Sequence, residues 1–251
     1  MTGRVAIYAT PGAGTADADG ALLRERAETW LGRRADGSEP GAELPDGWNR
    51  EEIDALTVDA RRYGFHGTLK APFRLAPGRT LDELQESLSR FGATRAAVLL
   101  PQLALRRIGD FFALVPGAEA HDLHDLADAL VTGFDDFRAP ATAADIARRN
   151  PDALTERQRQ RLQRWGYPYV LDELRFHLTL TDRIPAERQP AVEETLYSWF
   201  APFLGRAVAI DTLLLFTESE PGAPFRLHSA SPLRPLSGLP STEALDHEGT
   251  R

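Results

Sequence analysis

The pattern Phe-His-x-Thr-Leu occurs twice in this chain, at residues 65–69 and 176–180. Side chains alternate across a strand, and aromatic residues are common there, so each copy predicts a β-strand with its phenylalanine and leucine on one face. The histidine and threonine then lie side by side on the opposite face. The chain must therefore build a core against which two half-buried strands, far apart in sequence, can both pack.

The elements that follow each copy occur in the same order. In residues 66–115 and again in 177–229, a strand is followed by a proline, a helix, a long apolar strand and a further strand. This order suggests an internal duplication. Strands and helices mixed in this way predict an α+β fold with antiparallel sheets. The motif strands themselves are expected over 65–73 and 174–184.

A length of 251 residues suits one domain, which we expect over 1–237, with one motif in each half. Apolar residues at helical spacing predict a helical insert between the halves, at about 119–165. The sequence leaves the purpose of this insert open. Residues 238–251 are polar and contain proline and glycine, so they are expected to form a disordered tail.

The two histidines, His66 and His177, are the candidate catalytic residues. Their neighbours Thr68 and Thr179 are the candidate phosphate-binding residues. The unperturbed pKa of imidazole is near 6.5, so near pH 7 one ring can accept a proton while the other donates one. Hydroxyl groups can donate to phosphate oxygens. If the two strands meet across a cleft, this set predicts phosphoryl chemistry with no metal and no cofactor. Which histidine is the acid stays open.

Four further side chains are candidate substrate-binding residues. Alternation places Lys70 and Arg175 on the same faces as the histidines, where a cation can offset the charge of a phosphate. Tyr8 lies on the polar face of the first predicted strand, and Tyr63 just precedes the first motif. Both tyrosines can stack on a ligand or bond to it, but a buried structural role explains them equally well.

Other features of the sequence narrow the function classes. His121 and His124 have a spacing that would suit a metal pair, but their flanking aspartates favour a solvated helix face. The absence of cysteine excludes thiolate catalysis, and a formal net charge of −8 argues against a broad surface for long nucleic acid. No stretch has the length of a membrane span and no signal peptide is recognisable. We therefore expect a soluble, cytoplasmic monomer whose partner is a small phosphodiester substrate.

The longer strings around the motifs resemble a known superfamily. Residues 61–73 (RRYGFHGTLKAPF), 164–169 (RWGYPY) and 175–180 (RFHLTL) are similar to the two-histidine (2H), LigT-like phosphoesterase superfamily, and within it to a branch of unknown function associated with bacterial phosphonate-utilisation operons. The resemblance spans about residues 4–236. It implies a bilobal α+β fold, with two pseudo-symmetric antiparallel sheets lining a central cleft and helices outside.

The resemblance also suggests a reaction, since members of the superfamily act on 2′,3′-cyclic phosphates, ADP-ribose cyclic phosphates or 2′,5′-linked oligonucleotides. The leading hypothesis is a metal-independent phosphodiesterase for a small cyclic phosphodiester, for example a ribose cyclic phosphate. One alternative is an enzyme that processes RNA 2′,5′ linkages or 2′,3′-cyclic phosphate ends. The other is a phosphometabolite-binding protein without catalytic activity.

Overall fold

The computed structural model describes residues 3–14, 17–41 and 43–236. The tail predicted for 238–251 lies outside these residues. Within them the strands are β1 (Arg4–Ala9), β2 (Gly67–Phe73), β3 (Val98–Leu100), β4 (Ala104–Ile108), β5 (Phe111–Val115), β6 (Leu178–Thr179), β7 (Val208–Ile210), β8 (Thr212–Glu218) and β9 (Arg226–Pro232).

The helices are α1 (Ala18–Leu31), α2 (Arg50–Leu56), α3 (Val58–Tyr63), α4 (Leu81–Gly92), α5 (His121–Gly133), α6 (Ala143–Ala147), α7 (Glu156–Trp165) and α8 (Gln189–Phe200). Capping boxes explain several of their starts: at α4, the hydroxyl of Thr80 accepts from the backbone N–H of Glu83, whose carboxylate accepts from the Thr80 N–H. The segment predicted as a helical insert contains α5, α6 and α7. Among the described residues, no helix combines the length and apolar character needed to cross a membrane.

Seven strands form one antiparallel sheet in the order β4-β5-β6-β2-β1-β8-β9, and β3 pairs with β7 in a small separate sheet. The α+β class with antiparallel sheets is confirmed. The two sheets that were expected to line the cleft form one continuous sheet, however, because β2 pairs with β6 at Gly67 and Leu178. The large sheet therefore runs through both halves of the chain.

The predicted repeat is visible in the element order. The first motif strand begins the series β2-α4-β3-β4-β5, and the second begins β6-α8-β7-β8-β9. Equivalent strands of the two series meet in the middle, since β2 pairs with β6 and β3 with β7, both antiparallel. This arrangement has the pseudo-two-fold symmetry that the resemblance implied.

The core lies on the face of the sheet that carries the motif phenylalanines and leucines. Leu69, Phe176 and Leu178 are buried there, and Trp30 of α1 donates its indole N–H to the Leu180 carbonyl at 2.8 Å. The opposite face has a smaller apolar cluster that consists of Ala6, Tyr8, Leu214, Phe216 and Phe225. One face of the sheet is thus anchored in the core, and the other is left to form a cleft.

The second motif strand is much shorter than the expected 174–184. It begins after a 3₁₀ turn at Leu171–Glu173 and is extended for only two residues. Beyond it the N–H groups of Leu180 and Thr181 both reach the carbonyl of Phe112, which interrupts the regular ladder. The strand is nevertheless held on both sides, by β5 and by β2.

Candidate active site

The pairing of the two motif strands brings the four motif side chains together. Gly67 lies directly across from Leu178, and both face the core. Extending this antiparallel register by one residue in each direction sets one histidine opposite the other strand's threonine, in both cases. The four side chains, His66, Thr68, His177 and Thr179, line a single cleft of about 550 Å³. Cross-strand neighbours of this kind lie about 5 Å apart, within reach of one phosphate group.

Gly67 makes this close pairing possible. A Cβ atom at this position would lie 2.1 Å from Cζ of Phe176, the phenylalanine of the other motif. Carbon atoms that are not bonded normally stay about 3.5 Å or more apart, so a larger residue would push the Phe176 ring away from the strand. The glycine therefore lets the second motif's ring pack directly over the first motif.

Each imidazole is oriented by the backbone of its own strand. Nδ1 of His66 lies 2.9 Å from the carbonyl oxygen of Gly64, and Nδ1 of His177 lies 2.6 Å from that of Arg175. Because a carbonyl oxygen only accepts, Nδ1 carries a proton in both rings. In both cases the partner is two residues earlier in the chain. Nε2 of each ring is therefore the atom available to exchange a proton with a ligand.

The surroundings of the two rings differ. The half-buried ring of His66 stacks on Tyr8, with 3.9 Å between the ring centroids, and its centroid lies 5.9 Å from that of Tyr63. The ring centroid of His177 lies 5.8 Å from that of Phe111. Burial lowers the pKa of His66 from 6.5 to about 4; the hydrogen bond to Gly64 opposes this shift, and the nearby His177 adds to it. His66 is therefore neutral at pH 7.

Lys70 does not line the cleft that holds the two histidines. Tyr8 pairs with Thr68 but Ile7 pairs with Lys70, so Leu69 is an extra residue on β2 and forms a β-bulge. A bulge interrupts the alternation of faces, and Ala71 lines the cleft in place of the lysine. The ammonium group of Lys70 is buried and donates to the carbonyl of Val131 in α5 at 2.8 Å. The alternation that placed Lys70 beside the histidine does not hold past Leu69.

The other predicted substrate-binding residues divide in the same way. Tyr8 and Tyr63 both line the cleft beside His66. Arg175 is exposed and does not line it; its guanidinium lies 5.9 Å from the ring centroid of Tyr169. Its contribution to the geometry is the backbone carbonyl that orients His177.

Three arginines that no sequence motif marks also line the cleft: Arg4, Arg149 and Arg183. Arg4 shares its strand face with Tyr8, so alternation along β1 was the signal that could have identified it. Its guanidinium is held against the buried carboxylate of Glu218 at 2.5 and 2.8 Å. Burial alone would raise the pKa of Glu218, but the hydrogen bonds from Arg4 and from a backbone N–H lower it overall. Nothing local in the sequence marks Arg149, which belongs to the helical insert.

No group of three or more histidine, aspartate or glutamate side chains in the described part of the chain could hold a metal ion together. Asp182 lies at the cleft, but its carboxylate accepts from the backbone N–H groups of Asp59 and Ala60 at the start of α3. Nε2 of His121 lies 3.0 Å from a carboxylate oxygen of Glu119, and Nδ1 of His124 forms a hydrogen bond with the carbonyl of Ala120. These contacts suit the solvated helix face favoured for the pair.

The chain belongs to a family described as proteins of unknown function, DUF1045, whose model matches residues 68–226. This membership confirms the resemblance to a branch of unknown function. The chain is 37% identical over 251 residues to ribose 1,5-bisphosphate phosphokinase PhnN of Janthinobacterium sp. (strain Marseille), a match that covers 98% of this chain and 53% of that protein. It is 36% identical over 207 residues to the protein of the same name from Laribacter hongkongensis (strain HLHK9), covering 79% of this chain and 45% of that one. The chain thus spans about half the length of these relatives.

Solved structures that align with most of this chain are distant from it in sequence. LigT of E. coli complexed with 3′-AMP is 14% identical and aligns with a TM-score of 0.40, covering 93% of this chain and 99% of that one. A structure described as a phosphoesterase is also 14% identical, with a TM-score of 0.39 and the same coverage.

Proposed function

We propose that the protein is a metal-independent phosphodiesterase that opens a small cyclic phosphodiester with two histidines as acid and base. The observation that carries the proposal is the pairing of β2 with β6 at Gly67 and Leu178. This pairing puts both imidazoles on one cleft-facing surface, each with Nδ1 bound to the backbone and Nε2 available. Two imidazoles are sufficient for the proton transfers of the reaction, because one takes a proton while the other gives one.

In the proposed reaction His66 is the base and His177 the acid. The lowered pKa of His66 keeps its ring neutral at pH 7, so Nε2 accepts a proton from water as the water oxygen attacks phosphorus. The bond from phosphorus to one ring oxygen breaks, and that oxygen takes a proton from Nε2 of His177, which enters the step with both ring nitrogens protonated. The product is an acyclic phosphomonoester, and the step ends with His66 protonated and His177 neutral.

Thr68 and Thr179 bind the phosphate in this scheme. Both are half-buried at the cleft, in the register of the histidines. Hydroxyl donors aimed at the non-bridging oxygens stabilise the charge that builds up on them during the attack. Thr181, two residues after Thr179, is different: its hydroxyl accepts from the Phe112 N–H and donates to the Asp182 carbonyl, so it stabilises the fold.

A ribose cyclic phosphate is the substrate class we favour. Both curated relatives are named for a kinase that acts on ribose 1,5-bisphosphate, and this chain corresponds to about half of their length. Opening a cyclic phosphate on ribose yields a ribose phosphate monoester, the kind of compound that such a kinase consumes. The proposal is that the half represented by this chain supplies it.

The test is hydrolysis of ribose 1,2-cyclic phosphate and of 2′,3′-cyclic mononucleotides, followed by ³¹P NMR with and without EDTA. General acid–base catalysis contributes about 10²- to 10⁴-fold, so His66→Ala and His177→Ala should each lower kcat by that factor. His124→Ala is the matched control, because this histidine lies on α5 with its ring bound to its own helix backbone. Wild-type turnover in both cleft variants, or loss of activity with EDTA, would refute the mechanism.

A further inference from the structure

The cleft extends beyond the motif residues toward the helical insert. Tyr8 and Arg4 line this part from β1 and Tyr63 lines it from the end of α3, while Arg149 of the insert and Tyr167 just after α7 line the opposite side. The proposed reaction uses none of these five side chains. Their presence in the same cleft as the catalytic set raises the question of which ligand group they bind.

Arg149 is the arginine in this part of the cleft that has no carboxylate partner within the described ranges. Its guanidinium lies 4.7 Å from the ring centroid of Tyr167. The arginines around it differ: Arg148 pairs with Asp145, and Arg4 is bound to Glu218. A half-buried guanidinium without a carboxylate, facing a cleft, is suited to an anion brought by a ligand.

Tyr8 adds a second, independent observation. Its side chain is 0% exposed, and in the part of the chain that the structure describes no group forms a hydrogen bond with its hydroxyl. Burial raises the pKa of the Tyr8 hydroxyl well above its usual value; the neighbouring Tyr63 and Tyr167 add to this shift and Arg4 opposes it. A buried donor without an acceptor is costly, and an acceptor oxygen from a ligand would satisfy it.

We propose that this end of the cleft, formed by Arg149 and the Tyr8 hydroxyl, is a subsite for a second phosphate group, carried as a monoester on the substrate's sugar. The inference rests on the proposed function, since it names the substrate of the same cleft as a sugar with one cyclic and one terminal phosphate. A phosphate monoester carries a charge of about −1.5 to −2 at pH 7 and three acceptor oxygens, which match an arginine fork and a hydroxyl donor.

A nucleobase fits this wall less well than a phosphate. Base stacking needs an open aromatic face. The guanidinium of Arg149 lies over the ring of Tyr167, and the ring of Tyr8 is stacked against His66. One face of each of these two rings is therefore covered, whereas the Tyr8 hydroxyl and the Arg149 guanidinium have no acceptor or carboxylate partner among the described residues.

The experiment compares ribose 1,2-cyclic phosphate with its 5-phosphorylated form, using the wild-type protein, Arg149→Ala and Arg149→Lys. Wild type should prefer the 5-phosphorylated sugar by about tenfold to a hundredfold in kcat/KM, a charge-assisted contact being of that size. Arg149→Ala should abolish most of this preference, and Arg149→Lys should restore part of it. Arg157→Ala is the matched control: this exposed arginine of the insert pairs with Asp172 away from the cleft and should leave the preference unchanged.

Calorimetry with ribose 5-phosphate and ribose tests the subsite without any turnover. Ribose 5-phosphate should bind to the wild type, and its affinity for Arg149→Ala should be at least tenfold lower. Ribose should bind to neither protein. If the wild type hydrolyses both cyclic sugars equally and Arg149→Ala changes no ratio, the subsite is refuted and the proposed function stands. If neither sugar is hydrolysed but ribose 5-phosphate binds through Arg149, the proposed function fails and the subsite stands.

Discussion

Exchanging Glu218 for glutamine tests how strongly the ion pair behind the cleft stabilises the fold. The carboxylate is 0% exposed and accepts from Arg4 at 2.5 and 2.8 Å, from Arg62 at 3.3 Å and from the Gly222 N–H at 3.1 Å. Glutamine keeps the shape but removes the negative charge, which leaves two guanidinium groups close together without a counter-charge. Removing one partner of a buried pair costs about 3–5 kcal/mol. We expect about 3 kcal/mol, because the amide oxygen still accepts a hydrogen bond.

Glu86→Gln is the matched control for this measurement. Glu86 and Arg90 form an ion pair on α4 at 3.6 Å, but their side chains are 71% and 70% exposed. An exposed pair of this spacing contributes about 0.5 kcal/mol or less. The two variants therefore make the same chemical change in a buried and in a solvated setting.

Thermal unfolding and urea unfolding, both followed by circular dichroism, measure the two variants. For a chain of this size each kcal/mol corresponds to about 2–4 °C in Tm, so Glu218→Gln should lower Tm by about 6–12 °C and Glu86→Gln by less than 2 °C. The midpoint should move without a change in the urea dependence of the unfolding free energy. Equal effects in the two variants would refute the argument that burial makes the Glu218 pair important for stability.

Two further predictions concern the motif strands. Gly67→Ala should destabilise the fold by about 1–3 kcal/mol, because its Cβ would lie 2.1 Å from Cζ of the buried Phe176 ring; an unchanged unfolding midpoint in urea would show that the ring moves aside freely. The pKa of His66 is about 4 in the folded protein and near 6.5 in the unfolded chain, so between these pH values the unfolded state binds more protons and stability falls as pH falls. Urea unfolding from pH 7 to pH 4 should therefore show a shallower loss in His66→Gln than in wild type, and identical pH profiles would contradict the lowered pKa.

The symmetry of the fold explains why one cleft holds both motifs. Each motif strand starts a series of strand, helix and three strands, and the two series meet at the pairs β2–β6 and β3–β7. Around such a pseudo-two-fold axis, equivalent residues come to lie on the same surface. The insert with α5, α6 and α7 follows only the first series and breaks the symmetry. This asymmetry is where Arg149 and Tyr167 reach the cleft.

Alternation along a strand is a local rule, and it predicted the correct face for each side chain wherever the strand was regular. It put the histidines and threonines of both motifs on one side and the apolar residues on the other, and it identified Tyr8. It failed at Lys70, because the bulge at Leu69 depends on how β1 pairs with β2, and pairing is a property of two strands. Arg175, which alternation placed beside His177, does not line the cleft for a related reason, since the regular strand begins three residues after it.

By itself, the sequence determined the two motifs, the repeated order of elements, the α+β class and the identity of the four motif side chains. These follow from side-chain periodicity and residue type, which act within a few neighbouring residues. Tertiary structure alone decided that the motif strands are neighbours in one sheet, that a glycine permits their close approach, and that Tyr8 covers His66. It also decided that Arg149, eighty residues beyond the end of the first motif, belongs to the same cleft. Contacts between segments far apart in the chain depend on the packing of the whole core, and no local pattern records them.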